Sequence, residues 1–190
     1  LYALAKMYLA FEDVRYRHSM DWALEFYSHE RWLSQAFLPW TISAFVSLYQ
    51  QTCESKYSEY AFHLSDRLLK QQNLDSRDAV YGSFHGLPSA NTGSYMEALG
   101  DAVHLAQLVK DQQRLKLYCE RAKMGYRWLL MLQYTESDFT DSGHFEMSIG
   151  GFRESLVNPQ LRIDNTQHAI SSFAKGLQFI FRVHPQQIVK

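Results

Sequence analysis

Apolar residues recur at spacings of three and four along most of the chain, which is the periodicity of an amphipathic helix. Pro39 lies where it can open a helix at its first turn or kink it. No pair of strands is evident, although residues 146–153 could form a short hairpin arm. The pattern therefore predicts an all-α protein built of antiparallel helical hairpins. Helices are predicted at residues 1–30 (as one helix or two), 31–51, 55–72, 93–110, 113–133 and 165–183.

Two long loops separate the helices, and glycine and proline are concentrated in and beside them. The loops cover residues 73–92 and 134–164. The segments around them repeat each other: RLLKQQ, YGSFHG and NTGSYMEAL match WLLMLQ, IGGFRES and NTQHAISSF. The three pairs are offset by 61, 68 and 74 residues, so the loop lengthens while the helices keep their register. A repeat of ~60–75 residues exceeds the ~33–47 residues of short helical solenoids and favours a layered ring of helical hairpins.

Three motifs of the second repeat resemble the (α/α) toroid proteins: Trp-Leu-Leu-x-Leu-Gln at residues 128–133, Gly-Gly-Phe at 150–152 and Arg-Ile-Asp-x-Thr-Gln-His at 162–168. These proteins include six-hairpin glycosidases, sugar epimerases of similar build and terpene cyclases. The resemblance extends over about residues 67–181. It implies part of an (α/α) toroid, with the long glycine-containing loops on one end. Since the chain has room for only part of a ring, we expect residues 1–190 to form one helical domain that is a fragment or terminal part of a larger toroid protein.

The same resemblance implies a function. A toroid of this type binds its ligand at the mouth of the ring, where loops precede inner helices, and we therefore expect a carbohydrate-active or related small-molecule enzyme domain. Glycoside hydrolysis and epimerisation are the reactions it suggests. The alternative is a non-catalytic helical binding or scaffold domain, since capping explains some of the polar residues equally well. A deep polar cleft lined by both glycine loops would favour the enzyme.

Three residues are candidates for catalysis. Asp164 and His168 are four apart, which places both on one face of a helix as a possible acid and base. Asp164 followed by Gln167 is also typical of a helix capping box, and a metal would need more ligands than this spacing supplies. Glu97 lies four residues before Asp101, and paired carboxylates suit glycoside hydrolysis, although they also occur on solvated helix faces.

The ligand-binding candidates lie in the two loops. Arg153 and Arg162 flank a proline turn and offer planar forks for an anionic ligand, or else they staple the loop to nearby carboxylates. The other candidates would stack on a ligand, let the backbone approach it closely, or project into the mouth of the ring. They are Phe84, His85, Gly150, Gly151 and Phe152. A loop histidine such as His85 is also commonly just exposed to solvent.

Composition limits the classes of molecule that the protein is expected to bind. The chain has 19 basic and 20 acidic residues, which argues against nucleic acid, and no apolar run approaches the ~20 residues of a membrane span. Two distant cysteines without metal-ligand spacing indicate reduced thiols, so we predict a cytoplasmic protein. Nucleotide-binding and zinc-protease motifs are absent, and we predict neither cofactor nor metal. A partial ring exposes apolar helix edges, so we expect self-association or packing on the rest of the parent chain.

Overall fold

The computed structural model describes residues 1–28, 33–84, 91–138 and 146–181. Within these ranges it contains helices and isolated backbone pairings but no β-strand, which confirms the predicted all-α class. None of the described helices is both long and apolar enough to cross a membrane. The α-helices are α1 (Tyr2–Phe11), α2 (Val14–Ser28), α3 (Leu38–Thr52), α4 (Ser55–Leu69), α5 (Thr92–Leu108), α6 (Gln112–Leu132) and α7 (Ile163–Lys175).

Two helices end at residues other than glycine that adopt a left-handed backbone. Glu12 (φ 54°) ends α1 and Cys53 (φ 56°) ends α3, and each donates its N–H to a carbonyl four residues earlier. The turn at Glu12 divides the predicted helix at residues 1–30 into α1 and α2. Pro39 lies in the first turn of α3, where its missing N–H leaves no helical hydrogen bond unmade.

The second half of the chain differs from the prediction at two places. α7 ends at Lys175 instead of near residue 183, and the π-helical turn Gly176–Ile180 follows it. The predicted hairpin arm at residues 146–153 is wrong, because the 3₁₀ turn Glu146–Ser148 occupies its first half. Phe152, near its end, pairs instead with Gln133, the residue after α6.

Contacts divide the chain into two compact units, where the sequence predicts one domain. Unit 1 comprises residues 1–70 and 98–118, and unit 2 comprises residues 71–97 and 119–190. Both α5 and α6 contribute residues to each unit, so the division falls inside helices and has no linker to mark it in the sequence.

In unit 1, α1 packs against both α2 and α3, and α3 packs against α4. Polar contacts fix α2 to the start of α4: the Tyr57 hydroxyl and the Lys56 ammonium each donate to Asp21 over 2.6 Å. Burial alone would raise the pKa of Asp21, but the hydrogen bonds from Lys56 and Tyr57 hold it below its usual value. α3 is the most buried helix of this unit, with an unbroken run of buried residues from Thr41 to Leu48.

A second polar cluster in unit 1 joins α4 to the beginning of α6. The Tyr118 ring is fully buried, and its hydroxyl donates to Asp66 over 2.6 Å. Arg114 reaches the same carboxylate at 3.1 Å and that of Asp111 at 2.9 Å. Burial of the ring, followed by the hydrogen bond to Asp66, raises the pKa of Tyr118. The cluster therefore keeps Tyr118 as a hydrogen-bond donor and fixes the register of α4 against α6.

In unit 2, the later part of α6 packs against α7. The Tyr126 hydroxyl donates to the Ser172 carbonyl over 2.7 Å, and its ring stacks on Phe173 with 5.1 Å between centroids. Gly176 lets the hydroxyl approach, because a Cβ at that position would lie 2.6 Å from the Tyr126 oxygen. The contact therefore requires a small residue at the point where α7 ends and the π-helical turn begins.

The start of α5 also packs against the second turn of α7 in unit 2. A Cβ on Gly93, the second residue of α5, would lie 2.9 Å from the Ala169 nitrogen and 3.0 Å from the His168 carbonyl carbon. Only glycine allows backbones to approach this closely without displacement.

The first glycine loop closes through a set of bonds that we call the first clasp, formed by Gln72, Gly82, Phe84 and Thr92. Gln72 and Phe84 form an isolated antiparallel pairing. The Gln72 side-chain amide donates to the Gly82 carbonyl over 3.1 Å. The Phe84 N–H donates to the Thr92 hydroxyl over 3.2 Å, which fastens the loop to the first residue of α5.

The second clasp has the same bonds at the repeated positions, Gln133, Gly150, Phe152 and Thr166. Gln133 and Phe152 form the backbone pairing, and the Gln133 amide donates to the Gly150 carbonyl over 3.3 Å. The Phe152 N–H donates to the Thr166 hydroxyl over 3.3 Å. Because these pairs have the offsets of 61, 68 and 74 residues found in the sequence, the predicted internal repeat is confirmed.

Candidate functional site

The structure brings two of the three predicted catalytic residues together. His168 Nδ1 lies 3.1 Å from Glu97 Oε1, although the residues are 71 positions apart. Each is the sixth residue of its helix, Glu97 in α5 and His168 in α7. Their side chains retain 22% exposure for His168 and 16% for Glu97. The pair is therefore held inside unit 2 but remains accessible to a small molecule.

The chemistry of the pair follows from its donors and acceptors. When the Glu97 carboxylate is ionised it can only accept a hydrogen bond, and the donor is then the N–H at Nδ1 of His168. In a neutral ring this arrangement leaves Nε2 as an acceptor. Lys175 donates from Nζ to the Glu97 backbone carbonyl over 3.3 Å, which ties the end of α7 to the same turn of α5. A carboxylate that orients an imidazole in this way is suited to general acid–base chemistry.

Asp164 has a different partner. It receives two hydrogen bonds from the Arg162 guanidinium, of 3.0 and 2.7 Å, and this hydrogen bonding is the main cause that lowers the pKa of Asp164. The predicted capping box with Gln167 is wrong, because α7 begins at Ile163 and no side chain caps its first residue. Asp164 therefore lies inside the first turn, and the predicted pairing of Asp164 with His168 gives way to two separate pairs.

Arg153 staples the second loop to the end of α6. Its Nη2 donates to the Met131 carbonyl over 2.9 Å, and its guanidinium lies 5.4 Å from the centre of the Tyr134 ring. A carboxylate oxygen of Asp138 lies 3.8 Å away. Of the two interpretations offered by the sequence, these contacts favour the staple over anion recognition. Arg162 is the more exposed of the two arginines and borders the start of α7.

The two predicted stacking rings are buried. Phe152 is 1% exposed and lies against Phe173, while Phe84 is 2% exposed and stacks on Tyr95. A ring with so little exposure has no face to offer a ligand, so both rings serve the core. His85, the candidate next to Phe84, lies outside the described residues.

Gly150 and Gly151 are required for reasons of backbone structure. Gly150 adopts φ +86°, which L side chains rarely take, and a Cβ there would meet nothing within 4 Å. A Cβ on Gly151 would lie 3.0 Å from the Leu161 side chain and 3.1 Å from the Ser148 carbonyl oxygen. Gly150 thus turns the chain, while Gly151 is crowded by neighbouring parts of the same loop.

Sequence reasoning missed three contributors to this region. Lys175 lies two turns after His168 on α7, and helical spacing alone would have placed it on the same face. Asn165 is 3% exposed and donates to Glu154 over 2.6 Å, which fastens the loop to α7. Thr166 forms part of the second clasp, and the internal repeat carried the signal, because Asn-Thr occurs at both repeated positions.

A groove of about 460 Å³ lies along α6 in unit 2, lined mainly by α6 residues and by Phe181. Its floor includes Leu130 and Phe181, which are 55% and 45% exposed. Two cationic side chains, Lys123 and Arg127, border it, and Arg127 also lies over the Tyr81 ring. Tyr126 and Met131 complete the lining. The groove offers an apolar surface with positive charge at its edge.

Among the described residues, no group of three or more histidine, cysteine or acidic side chains could hold a metal ion. Neither cysteine forms a disulfide; Cys53 is exposed and Cys119 is partly buried. Comparisons of the chain with models of known protein families, with curated proteins and with solved structures find no match.

Proposed function

We propose that this chain is part of an (α/α) toroid enzyme that acts on a sugar-like small molecule, as a glycosidase or an epimerase does. In this proposal His168 is the general acid–base and Glu97 orients it. The observation that carries the proposal is the 3.1 Å contact between these two residues, which the sequence had singled out separately. The remaining exposure of both side chains leaves room for a ligand to reach the imidazole.

The arrangement of helices supports the toroid part of the proposal. In unit 1 the neighbours α1 and α3 are separated in sequence by α2, and α2 contacts both α1 and α4. In unit 2 the start of α5 packs against the second turn of α7, and α6 packs on α7. In each unit, therefore, alternate helices are neighbours, as they are when inner helices of a ring are joined through outer ones.

The start of α7 supplies the polar groups that would bind the ligand. Arg162 and Asp164 form an exposed pair, in which the guanidinium and the carboxylate can each bond sugar hydroxyls. We therefore assign Arg162 and Asp164 to ligand binding and His168 to proton transfer.

Replacing His168 with alanine tests the catalytic role. We expect turnover to fall by about 10²–10⁴-fold, since this is the usual contribution of a positioned acid–base group. The measurement uses 4-nitrophenyl glycosides for hydrolysis and reducing sugars in D₂O for epimerisation. His63→Ala is the matched control, because His63 is an exposed histidine of unit 1 that stacks on Tyr60. Equal turnover by the His168→Ala variant and the parent protein would rule out the assigned role.

A non-catalytic binding domain is the second candidate, and the groove beside α6 favours it. In this case the exposed floor of the groove packs on another copy of the chain or on the rest of a longer chain to which it belongs. Because Lys123 and Arg127 border the groove, a symmetric contact would bring like charges together, and added salt should strengthen it.

Leu130→Glu tests this candidate by sedimentation equilibrium. Burying a leucine stabilises a contact by about 1.5–3 kcal/mol, so the variant should weaken self-association by roughly tenfold or more. Leu117→Glu is the control, since Leu117 is also exposed on α6 but belongs to unit 1. Self-association through the groove is contradicted if the unsubstituted protein stays monomeric at all concentrations. It is also contradicted if the Leu130→Glu variant associates as strongly as the unsubstituted protein.

A further inference from the structure

Each clasp fastens a loop to the helix that carries one half of the Glu97–His168 pair. Thr92 precedes Glu97 by five residues in α5, and Thr166 precedes His168 by two residues in α7. Both hydroxyls accept the N–H of the phenylalanine that closes the loop, at 3.2 Å and 3.3 Å. Glu97 and His168 therefore lie on two helices that are each fastened to a loop by a clasp of the same kind.

The anchors of both clasps are largely buried. Thr92 is fully buried, and the phenylalanines that bond the threonines are 2% and 1% exposed. The Phe84 ring stacks on Tyr95 at 5.6 Å, and the Phe152 ring lies 6.0 Å from Phe173. Each loop therefore binds its helix both through a hydroxyl and through a packed ring, so neither helix start can turn without disturbing the core.

The pair has little tolerance for such movement. Because Gly93 approaches the backbone at His168 closely, a shift of either helix changes the separation of the two side chains directly. The Nδ1–Oε1 distance is 3.1 Å, and hydrogen bonding is lost beyond about 3.5 Å. A displacement of roughly 0.5 Å is also enough to spoil a catalytic geometry.

From this juxtaposition we infer that Thr92 and Thr166 are positioning residues, whose hydroxyls set the starts of α5 and α7 so that Glu97 reaches His168. The inference concerns the geometry of the pair. Its meaning for catalysis rests on the proposed function. It assigns the internal repeat a purpose: each clasp fixes one of two adjacent helices, and these helices carry complementary groups, a carboxylate five residues after Thr92 and an imidazole two residues after Thr166.

The experiment uses the full chain and the variants Thr166→Val and Thr92→Val, which keep the shape of the side chain and remove its hydroxyl. Thr166→Ser and Thr92→Ser restore the hydroxyl. Thr41→Val is the matched control, because Thr41 is 2% exposed and bonds only within its own turn, to the Phe37 carbonyl over 2.9 Å. Glu97→Ala supplies the reference state in which His168 has lost its carboxylate.

The first readout is the imidazole ¹⁵N spectrum of His168, recorded where the ring is neutral. The parent protein should show the tautomer with its proton on Nδ1, and Glu97→Ala should lose it. Both threonine-to-valine variants should shift the spectrum toward that of Glu97→Ala, while the serine variants and Thr41→Val should retain the parent spectrum. The second readout is amide exchange: Thr166→Val should speed exchange at Phe152 by roughly tenfold and leave Phe84 unchanged, and Thr92→Val should do the reverse.

Valine variants that lower stability but keep the parent tautomer would overturn the inference, because the threonines would then be structural only. Identical spectra for the parent and Glu97→Ala would overturn it as well. Failure of the proposed function is distinguishable, since it shows as absent turnover or sugar binding while the tautomer still follows the clasp variants.

Discussion

Replacing Gly82 with alanine should lower the free energy of unfolding by about 2–6 kcal/mol. Two costs add at this position. Gly82 adopts φ +89°, and holding an L side chain in such a conformation costs about 1–3 kcal/mol. A Cβ there would also lie 2.2 Å from the Met124 carbonyl oxygen, and such overpacking costs typically about 1–3 kcal/mol. The obstacle is backbone of α6, which cannot turn aside as a flexible side chain would.

Gly150→Ala is the matched control, because Gly150 occupies the repeated position in the second clasp. Its φ of +86° carries the same conformational cost, but a Cβ would meet nothing within 4 Å. We expect this variant to lose only about 1–3 kcal/mol, the cost of the backbone conformation alone. Urea unfolding of both variants measures the difference. Equal losses would show that the close approach of Gly82 to Met124 contributes nothing.

The helices could be predicted from the sequence because their apolar residues follow a helical period. The boundaries were less predictable where an end lacks the usual residue. Glu12 and Cys53 adopt left-handed conformations that glycine ordinarily supplies, so nothing in composition marks these ends. The boundary after Lys175 was missed for another reason, since the apolar pattern continues through the π-helical turn.

The internal repeat was also predictable, and the clasps give the physical reason. Glycine with positive φ, a buried phenylalanine and a threonine hydroxyl each meet a separate structural requirement, so the same residue types recur at both loops. The extra residues of the second loop leave these requirements unchanged. That is why the offset grows from 61 to 74 residues while the bonds of the clasp persist.

The sequence predicted which residues belong to the candidate site but not which of them contact each other. Spacing along α7 suggested Asp164 with His168, yet residues four apart on a helix need not bond each other. The nearby Arg162 fork provides Asp164 with two hydrogen bonds, and His168 faces a carboxylate from another helix. The contact with Glu97 depends on α5 and α7 being neighbours, and the period of a single helix carries no such information.

Replacing Phe152 with alanine should cost about 3–5 kcal/mol of stability, the range for removing a buried phenylalanine. The ring is 1% exposed and packs on Phe173, so its loss leaves a cavity beneath the second loop. If the ring instead served a ligand, stability would change little and only sugar binding would fall. Phe152→Leu should recover most of the loss because it refills much of the cavity. Phe11→Ala is the surface control, since Phe11 is 65% exposed, and it should change stability by less than about 0.5 kcal/mol. If chemical unfolding shows that Phe152→Ala loses no more stability than Phe11→Ala, the assignment of Phe152 to the core is contradicted.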